Sequence, residues 1–159
     1  MQVPGKQRAG HFTGAMAATR DRIIASMHGL QLTADLHGCA TERPAMTDPV
    51  ALRMACLAAI ARAGLTPVGD LFHRFDAAID AGGGNGITGV VLLAESHVAV
   101  HTWPELRAVT LDVYVCNVGR DNTTRANALL ATLIDLFEPV RVERHALERG
   151  APAASAAAP

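Results

Sequence analysis

The sequence predicts an α+β fold, a two-layer sandwich in which a mainly antiparallel sheet carries two helices on one face. Short strand-type apolar segments recur along the chain, and two longer segments have the start and stop signals of helices. The predicted order is β-α-β-β followed by β-β-α-β, so the sheet is assembled from βαββ-type halves. With 159 residues and 50% hydrophobic side chains, the chain has the size and the core material of one domain.

The first strand and the first helix open the domain. Residues 29–39 are predicted to form a strand, because apolar side chains at every second position share one face. Asp48 can cap a helix that starts at Pro49 and runs to Ala63, and Gly64 is a natural stop. This helix is apolar almost all round, so we expect it to pack closely against the sheet.

Four further strands and a loop occupy the middle of the chain. Residues 67–75 form the second predicted strand, and the glycine-rich residues 76–86 form a flexible loop. Residues 87–94 are a β-branched apolar run typical of a central strand, and the pattern resumes at 97–103. Residues 108–116 alternate cleanly between apolar and polar side chains, which predicts a strand with one buried face.

The last helix and strand complete the pattern. Asp121 or Asn122 can cap a helix with one apolar stripe, and Pro139 ends it. Residues 140–143 are predicted to be a short final strand.

Both ends of the chain are predicted to be tails. Residues 1–28 form a poorly ordered N-terminal extension with no sustained apolar period and no signal-peptide core. Residues 147–159 form a disordered tail rich in alanine and proline, which lacks the large side chains that could offset its ordering entropy. The domain itself is therefore expected to span residues 29–146.

Composition excludes several classes of protein. Lysine plus arginine number 14 and aspartate plus glutamate 15, a formal net charge of −1, which argues against nucleic-acid binding and against a polybasic membrane anchor. No apolar run approaches the roughly 20 residues of a membrane-spanning helix. The 3 cysteines, an odd number without a secretory signal, indicate a reducing compartment, so we expect a cytoplasmic protein.

Chemically active residue types concentrate at residues 94–105. Ser96 is flanked by Glu95 and His97 rather than by the glycines of a hydrolase nucleophile turn, so a serine hydrolase is disfavoured. His97 and His101 are spaced like a helical metal pair, but the residues between them favour a strand, which would separate them by roughly 13 Å. We therefore predict no metal site. The residues alone are also compatible with an ordinary pair of strands that carries some polar side chains and has no catalytic role.

The order of residues in this segment resembles one family. Glu95-Ser96-His97, a second histidine five residues after the serine, and then Thr102-Trp103-Pro104-Glu105 are similar to the processing site of the bacterial, pyruvoyl-dependent S-adenosylmethionine decarboxylase proenzymes. Further similar segments follow in family order at residues 29–39, 72–75, 86–91 and 111–116. The resemblance covers about residues 29–146.

This resemblance implies a self-cleaving zymogen that makes its own electron sink. Ser96 Oγ would attack the Glu95 carbonyl, the resulting ester would be eliminated, and residue 96 would become a pyruvoyl group. The amine of S-adenosylmethionine would form a Schiff base with this group. Loss of carbon dioxide would then give S-adenosyl 3-(methylsulfanyl)propylamine, the aminopropyl donor for spermidine biosynthesis. Two alternatives stay open: the same machinery acting on arginine or ornithine, and an uncleaved α/β binding module.

The resemblance also implies the roles of three catalytic residues. Ser96 is the pyruvoyl precursor, His101 is the base in processing, and Cys116 returns a proton to the substrate α-carbon. In one regular strand Ser96 and His101 would point to opposite faces, because their spacing is odd. We therefore predict a tight hairpin turn at residues 94–97 that lets Ser96 and His101 meet.

Three supporting residues complete the site that the resemblance implies. Thr88 stands where the family more often has serine, and its hydroxyl would support processing by hydrogen bonding near the scissile carbonyl. Phe75 would stack on the adenine ring, and Glu105 would bind the ribose hydroxyls.

We also predict a homodimer of cleaved protomers, with two copies of each fragment. Residues 87–94 are apolar on both faces, as in strands covered on both sides, whereas both helices are predicted on one face. A second copy of the sheet would cover the other face with closed two-fold symmetry. The resemblance to dimeric bacterial enzymes implies the same assembly.

Overall fold

A computed structural model describes residues 28–76 and 84–150 of the chain. In order, its helices and strands are β1 (Gly29–His37), α1 (Pro49–Arg62), β2 (Pro67–Arg74), β3 (Ile87–Leu93), β4 (Ser96–Trp103), β5 (Ala108–Cys116), α2 (Thr123–Phe137) and β6 (Arg141–Arg149). The strands form one 6-stranded sheet in the order β2-β3-β4-β5-β1-β6. Every neighbouring pair is antiparallel. The predicted α+β sandwich is confirmed.

Helix α1 begins and ends at the predicted signals. The Asp48 carboxylate accepts hydrogen bonds from the backbone N–H groups of Val50 and Ala51 at 2.8 and 3.3 Å, which satisfies two donors that the first helical turn leaves unpaired. Pro49 occupies the first turn, where its missing N–H costs nothing. Gly64, just beyond the helix, has a φ of +71°, which favours glycine and turns the chain towards β2.

Both helices cover the same face of the sheet. Helix α1 contacts β2 and β3, and α2 contacts β1 and β5. The strands present every second side chain to the helices, and the core residues of this face are at most 5% exposed. They include Leu36, Val100 and Leu111 from the sheet and Leu52 and Phe137 from the helices. Burial of these side chains is the main stabilising contribution, because each is worth about 1.5–3 kcal/mol.

The opposite face, which we call the open face, has no helix over it in the described part of the chain. Its central strands carry mostly polar residues: Thr88, His97, His101, Thr110, Asp112 and Tyr114. Four large exposed apolar side chains also lie there: Leu71 and Leu92 towards the β2 edge, at 69% and 51% exposure, Trp103 on β4 and Leu147 on the edge strand β6. The open face is therefore mostly polar along its middle, with exposed apolar side chains around this polar region.

The final strand is longer than predicted. Instead of residues 140–143, β6 spans Arg141–Arg149, and Gly29–Gln31 of β1 pair with residues 147–149. The prediction that the tail begins at residue 147 is therefore wrong. Strand β6 lies at the sheet edge with most side chains exposed, so its position depends on backbone pairing rather than on an apolar pattern.

Three predicted segments lie wholly or largely outside the described residues. They are the N-terminal extension at 1–28, most of the loop at 76–86 and the end of the alanine- and proline-rich tail. Among the helices of residues 28–76 and 84–150, none is both long and apolar enough to span a membrane.

Candidate active site

The β3–β4 hairpin carries the Glu95–Ser96 peptide bond. Strand β3 ends at Leu93 and β4 starts at Ser96, so Ala94 and Glu95 alone form the turn. The predicted tight turn is confirmed at these two residues, whereas Ser96 and His97 already belong to β4. A two-residue connection is typical of a hairpin whose flanking strands twist normally.

The carbonyl group of Glu95 is held by the backbone of the neighbouring strand. The N–H of Cys116 donates a hydrogen bond to the Glu95 carbonyl oxygen at 2.8 Å. This donor polarises the carbonyl and lies where negative charge would develop if a nucleophile added to its carbon.

The Glu95 side chain is also held in place, although it belongs to a turn. It is only 13% exposed. Its carboxylate accepts a hydrogen bond from the backbone N–H of Thr66 at 3.2 Å and lies 3.7 Å from the Arg120 guanidinium. The sequence offered no signal for Thr66 or Arg120, because each is far from Glu95 along the chain.

Cys116 ends β5 beside the hairpin. Its thiol is free and partly exposed, and its backbone carbonyl accepts a hydrogen bond from the Asn122 side chain at 2.9 Å. Asn122 is only 3% exposed. A buried amide that donates to a backbone carbonyl fixes that peptide, so the end of β5 is a rigid neighbour of the Glu95 carbonyl. We call Glu95, Ser96 and Cys116 the cleavage end of the sheet.

His101 and Thr88 lie at the other end of β4. They are cross-strand partners, and the Thr88 hydroxyl is 2.9 Å from His101 Nδ1, a hydrogen-bond distance. Thr88 is thus brought to His101 rather than to the scissile carbonyl, where the sequence prediction had it.

Ser96 and His101 do not meet within one chain, so that part of the sequence prediction is wrong. Ser96 pairs with Val115 and His101 pairs with Thr110 in one unbroken register. Five residues of strand separate their Cα atoms by roughly 16 Å at about 3.3 Å per residue. The physical reason is that the turn ends before Ser96, so β4 runs straight between the two residues.

Phe75 and Glu105 follow β2 and β4 at the same end of the sheet as Thr88 and His101. Phe75 follows β2, and its ring meets that of His73 edge-on at 5.2 Å; His73 in turn pairs with Thr88. Glu105 is exposed in the short turn after β4, against Gly84, where a Cβ atom would lie 2.8 Å from a carboxylate oxygen. We call Phe75, Thr88, His101 and Glu105 the histidine end.

A polar network that the sequence did not reveal crosses the middle of the open face. Asp112 accepts a hydrogen bond from the Gln31 side chain at 2.6 Å, and its other oxygen lies 3.7 Å from His97 Nε2. The guanidinium of Arg149 donates to Gln31 and lies over the Tyr114 ring. Alternation along β5 predicted that Asp112 is on the polar face, but not that its partners are Gln31 of β1 and His97 of β4.

Fold and site together define an α+β protein whose reactive groups lie at one hairpin and on the uncovered face of a single sheet. Within residues 28–76 and 84–150, no group of three or more His, Cys, Asp or Glu side chains could hold a metal ion.

The chain belongs to the S-adenosylmethionine decarboxylase family, whose model matches residues 30–150. It is 32% identical over 122 residues to the S-adenosylmethionine decarboxylase proenzyme of Archaeoglobus fulgidus, covering 77% of this chain and 97% of that protein. The proenzyme of the same name from Parasynechococcus marenigrum is 35% identical over 133 residues, covering 82% and 91%.

A solved structure has the same fold. The crystal structure of the adenosylmethionine decarboxylase from Aquifex aeolicus superimposes with a TM-score of 0.67 at 32% sequence identity. The match covers 79% of this chain and 93% of that one. The similarity therefore extends over nearly the whole length of the relatives.

Proposed function

We propose that this chain is a proenzyme that cleaves itself between Glu95 and Ser96 and then decarboxylates S-adenosylmethionine. Family membership supports the reaction class and the substrate. The observation that carries the proposal is the hydrogen bond from the Cys116 N–H to the Glu95 carbonyl, next to a serine. A serine beside a polarised carbonyl is the arrangement that an acyl shift needs.

Self-cleavage would proceed through an ester. Ser96 Oγ attacks the Glu95 carbonyl carbon, the C–N bond breaks, and the acyl group moves from nitrogen to oxygen. The Cys116 N–H stabilises the charge on the carbonyl oxygen during this step. A base then removes the Ser96 α-proton, and elimination releases Glu95 as a carboxylate and leaves dehydroalanine. Water hydrolyses that residue, ammonia leaves, and a pyruvoyl group remains on the fragment that starts at position 96.

After cleavage, residues of this chain would assist the pyruvoyl group in decarboxylating the substrate. The pyruvoyl group supplies an electron-withdrawing ketone that stabilises the electron pair left when carbon dioxide departs. Cys116 lies at the same end of the sheet and holds the proton that goes to the substrate α-carbon. Phe75 offers a partly exposed ring to the adenine, and Glu105 offers a carboxylate to the ribose hydroxyls. The product is the aminopropyl donor for spermidine synthesis.

A homodimer would complete the site. His101, the proposed processing base, is about 16 Å from Ser96 along β4, so it has to come from another copy. A two-fold axis that crosses β4 at a right angle brings the histidine end of one copy to the cleavage end of the other, and does so twice. Such face-to-face packing would also bury Leu71 and Leu92 of the open face. The three free thiols suit a reducing compartment such as the cytoplasm.

The test is the intact mass of the purified protein, followed by an assay of carbon dioxide release. We expect two fragments that meet at Glu95 and Ser96, with a blocked N-terminus on the second, and release of carbon dioxide from carboxyl-labelled S-adenosylmethionine. Ser96→Ala should leave one full-length chain. A wild-type chain that stays intact on long incubation would refute self-processing. Release from arginine or ornithine instead would refute the substrate.

A further inference from the structure

The Glu95 side chain has no part in the reaction as described, yet the structure fixes it. It is a turn residue with 13% exposure, and its partners, Thr66 and Arg120, lie outside the hairpin. We propose that Arg120 and the Thr66 peptide form a clamp on Glu95 that positions the Glu95–Ser96 bond for self-cleavage. This proposal rests on the proposed function.

The clamp contacts both residues of the turn. The Thr66 N–H donates to the Glu95 carboxylate at 3.2 Å, and the Thr66 carbonyl accepts from the Ala94 N–H at 2.9 Å. The Glu95 carbonyl is fixed separately by the Cys116 N–H at 2.8 Å. With its side chain and its carbonyl anchored to different elements, the Glu95 peptide plane has little freedom to rotate.

Orientation of this peptide matters because the attack is strained. Ser96 Oγ must reach the carbonyl carbon of the residue immediately before it, through a five-membered ring, which demands one rotation of the peptide relative to the hydroxyl. Holding reacting groups in such a geometry removes entropy from the barrier, and small displacements are costly in rate. A hairpin turn held only by its strands would sample other orientations.

The charge of Arg120 suits the same step. The attack places negative charge on the Glu95 carbonyl oxygen, and elimination then turns Glu95 into a chain terminus with a second carboxylate. A nearby guanidinium favours both changes. Arg120 is 55% exposed, so water screens its charge and its effect on the rate should be modest.

The experiment follows cleavage of the full chain after a short pulse of cell-free synthesis. It compares wild type with Arg120→Gln, Arg120→Lys, Glu95→Gln and the double variant Glu95→Gln with Arg120→Gln. Hydroxylamine, which cleaves esters but not amides, reports how fast the ester forms. Arg53→Gln is the matched control, because Arg53 is 44% exposed and pairs with a carboxylate, that of Asp70, away from the hairpin.

We expect Arg120→Gln to slow ester formation and cleavage about five-fold, the size of effect that an exposed ion pair can give. Arg120→Lys should restore most of the rate, Arg53→Gln should match wild type, and the double variant should be no slower than Glu95→Gln alone. Equal melting temperatures for Arg120→Gln and Arg53→Gln would exclude a general loss of stability as the cause.

Two results would overturn the clamp. One is wild-type cleavage by Arg120→Gln, and the other is fully additive slowing in the double variant. Either would leave the proposed function intact, because wild type would still cleave. An intact wild-type chain would refute the proposed function and the clamp with it.

Discussion

The two ends of β4 are built from different kinds of contact. At the cleavage end, the Glu95 carbonyl and carboxylate are held mainly by backbone N–H groups, those of Cys116 and Thr66. At the histidine end, Thr88 and His101 are joined by their side chains. A backbone donor is retained when its side chain is changed, so the contacts to Glu95 should survive substitution of Cys116 or Thr66. The Thr88–His101 contact depends on both side chains and should not survive their replacement.

The largest expected effect concerns the separation of the two ends. Ser96→Ala and His101→Ala should each abolish cleavage when expressed alone. Co-expressed in equal amounts, they should form heterodimers in which Ser96 of one copy meets His101 of the other. With random pairing, about half of the His101→Ala chains should then be cleaved.

Fragment masses and distinct affinity tags on the two variants provide the measurement. Each variant expressed alone is the control. Heterodimers that are isolated through both tags and remain uncleaved would contradict the shared site.

The second effect separates the backbone of Cys116 from its side chain. Cys116→Ala retains the N–H that contacts the Glu95 carbonyl, so cleavage should proceed at close to the wild-type rate. It loses the thiol, so decarboxylation should fall by about 100-fold, the lower range for loss of a general acid. Gel analysis and a carbon dioxide assay measure the two steps on one sample. Wild-type turnover by Cys116→Ala would remove Cys116 from the catalytic residues.

A smaller effect is expected at the histidine end. Thr88→Val keeps the β-branched shape that suits β3 but removes the hydroxyl that contacts His101 at 2.9 Å. We expect cleavage to slow by about ten-fold, the upper range for a single hydrogen bond. Thr88→Ser should retain the rate. If Thr88→Val and Thr88→Ser cleave equally fast, the hydroxyl does not orient His101.

The sequence predicted the covered face of the sheet well, because burial there leaves a local pattern. The alternation along β5 and the cap and stop signals of α1 each involve residues close together in the chain. The length of strand β6 was underestimated, because β6 pairs with β1 through its backbone and buries few side chains. It therefore leaves little apolar pattern in the sequence.

The candidate site was predicted only in part, and the missing part is long-range. The resemblance gave Ser96, His101 and Cys116. The alternation of side chains between the two faces of a strand could not show that the turn ends before Ser96. Contacts such as those of Arg120 and Thr66 with Glu95 depend on how separate elements meet, which no local pattern encodes.

The smallest effect is expected from the other two cysteines, which belong to the covered face. Cys39 and Cys56 are buried, and burial raises the pKa of both thiols, that of Cys56 to about 12. Thiolate is the reactive form, so a raised pKa keeps these two protonated as the pH approaches about 8.5, where an ordinary cysteine is half ionised. Iodoacetamide at that pH should label Cys116 in the folded protein, block decarboxylation and leave the other two unmodified.

Peptide mass mapping measures this, and the same reaction in guanidinium, where all three thiols become accessible, is the control. Cys56→Ala should change neither cleavage nor the labelling of Cys116, since it removes only a packed side chain from α1. Labelling of Cys56 in the folded protein as fast as that of Cys116 would mean that the covered face opens. The distinction between a covered face that only packs and an open face that carries the chemistry would then be wrong.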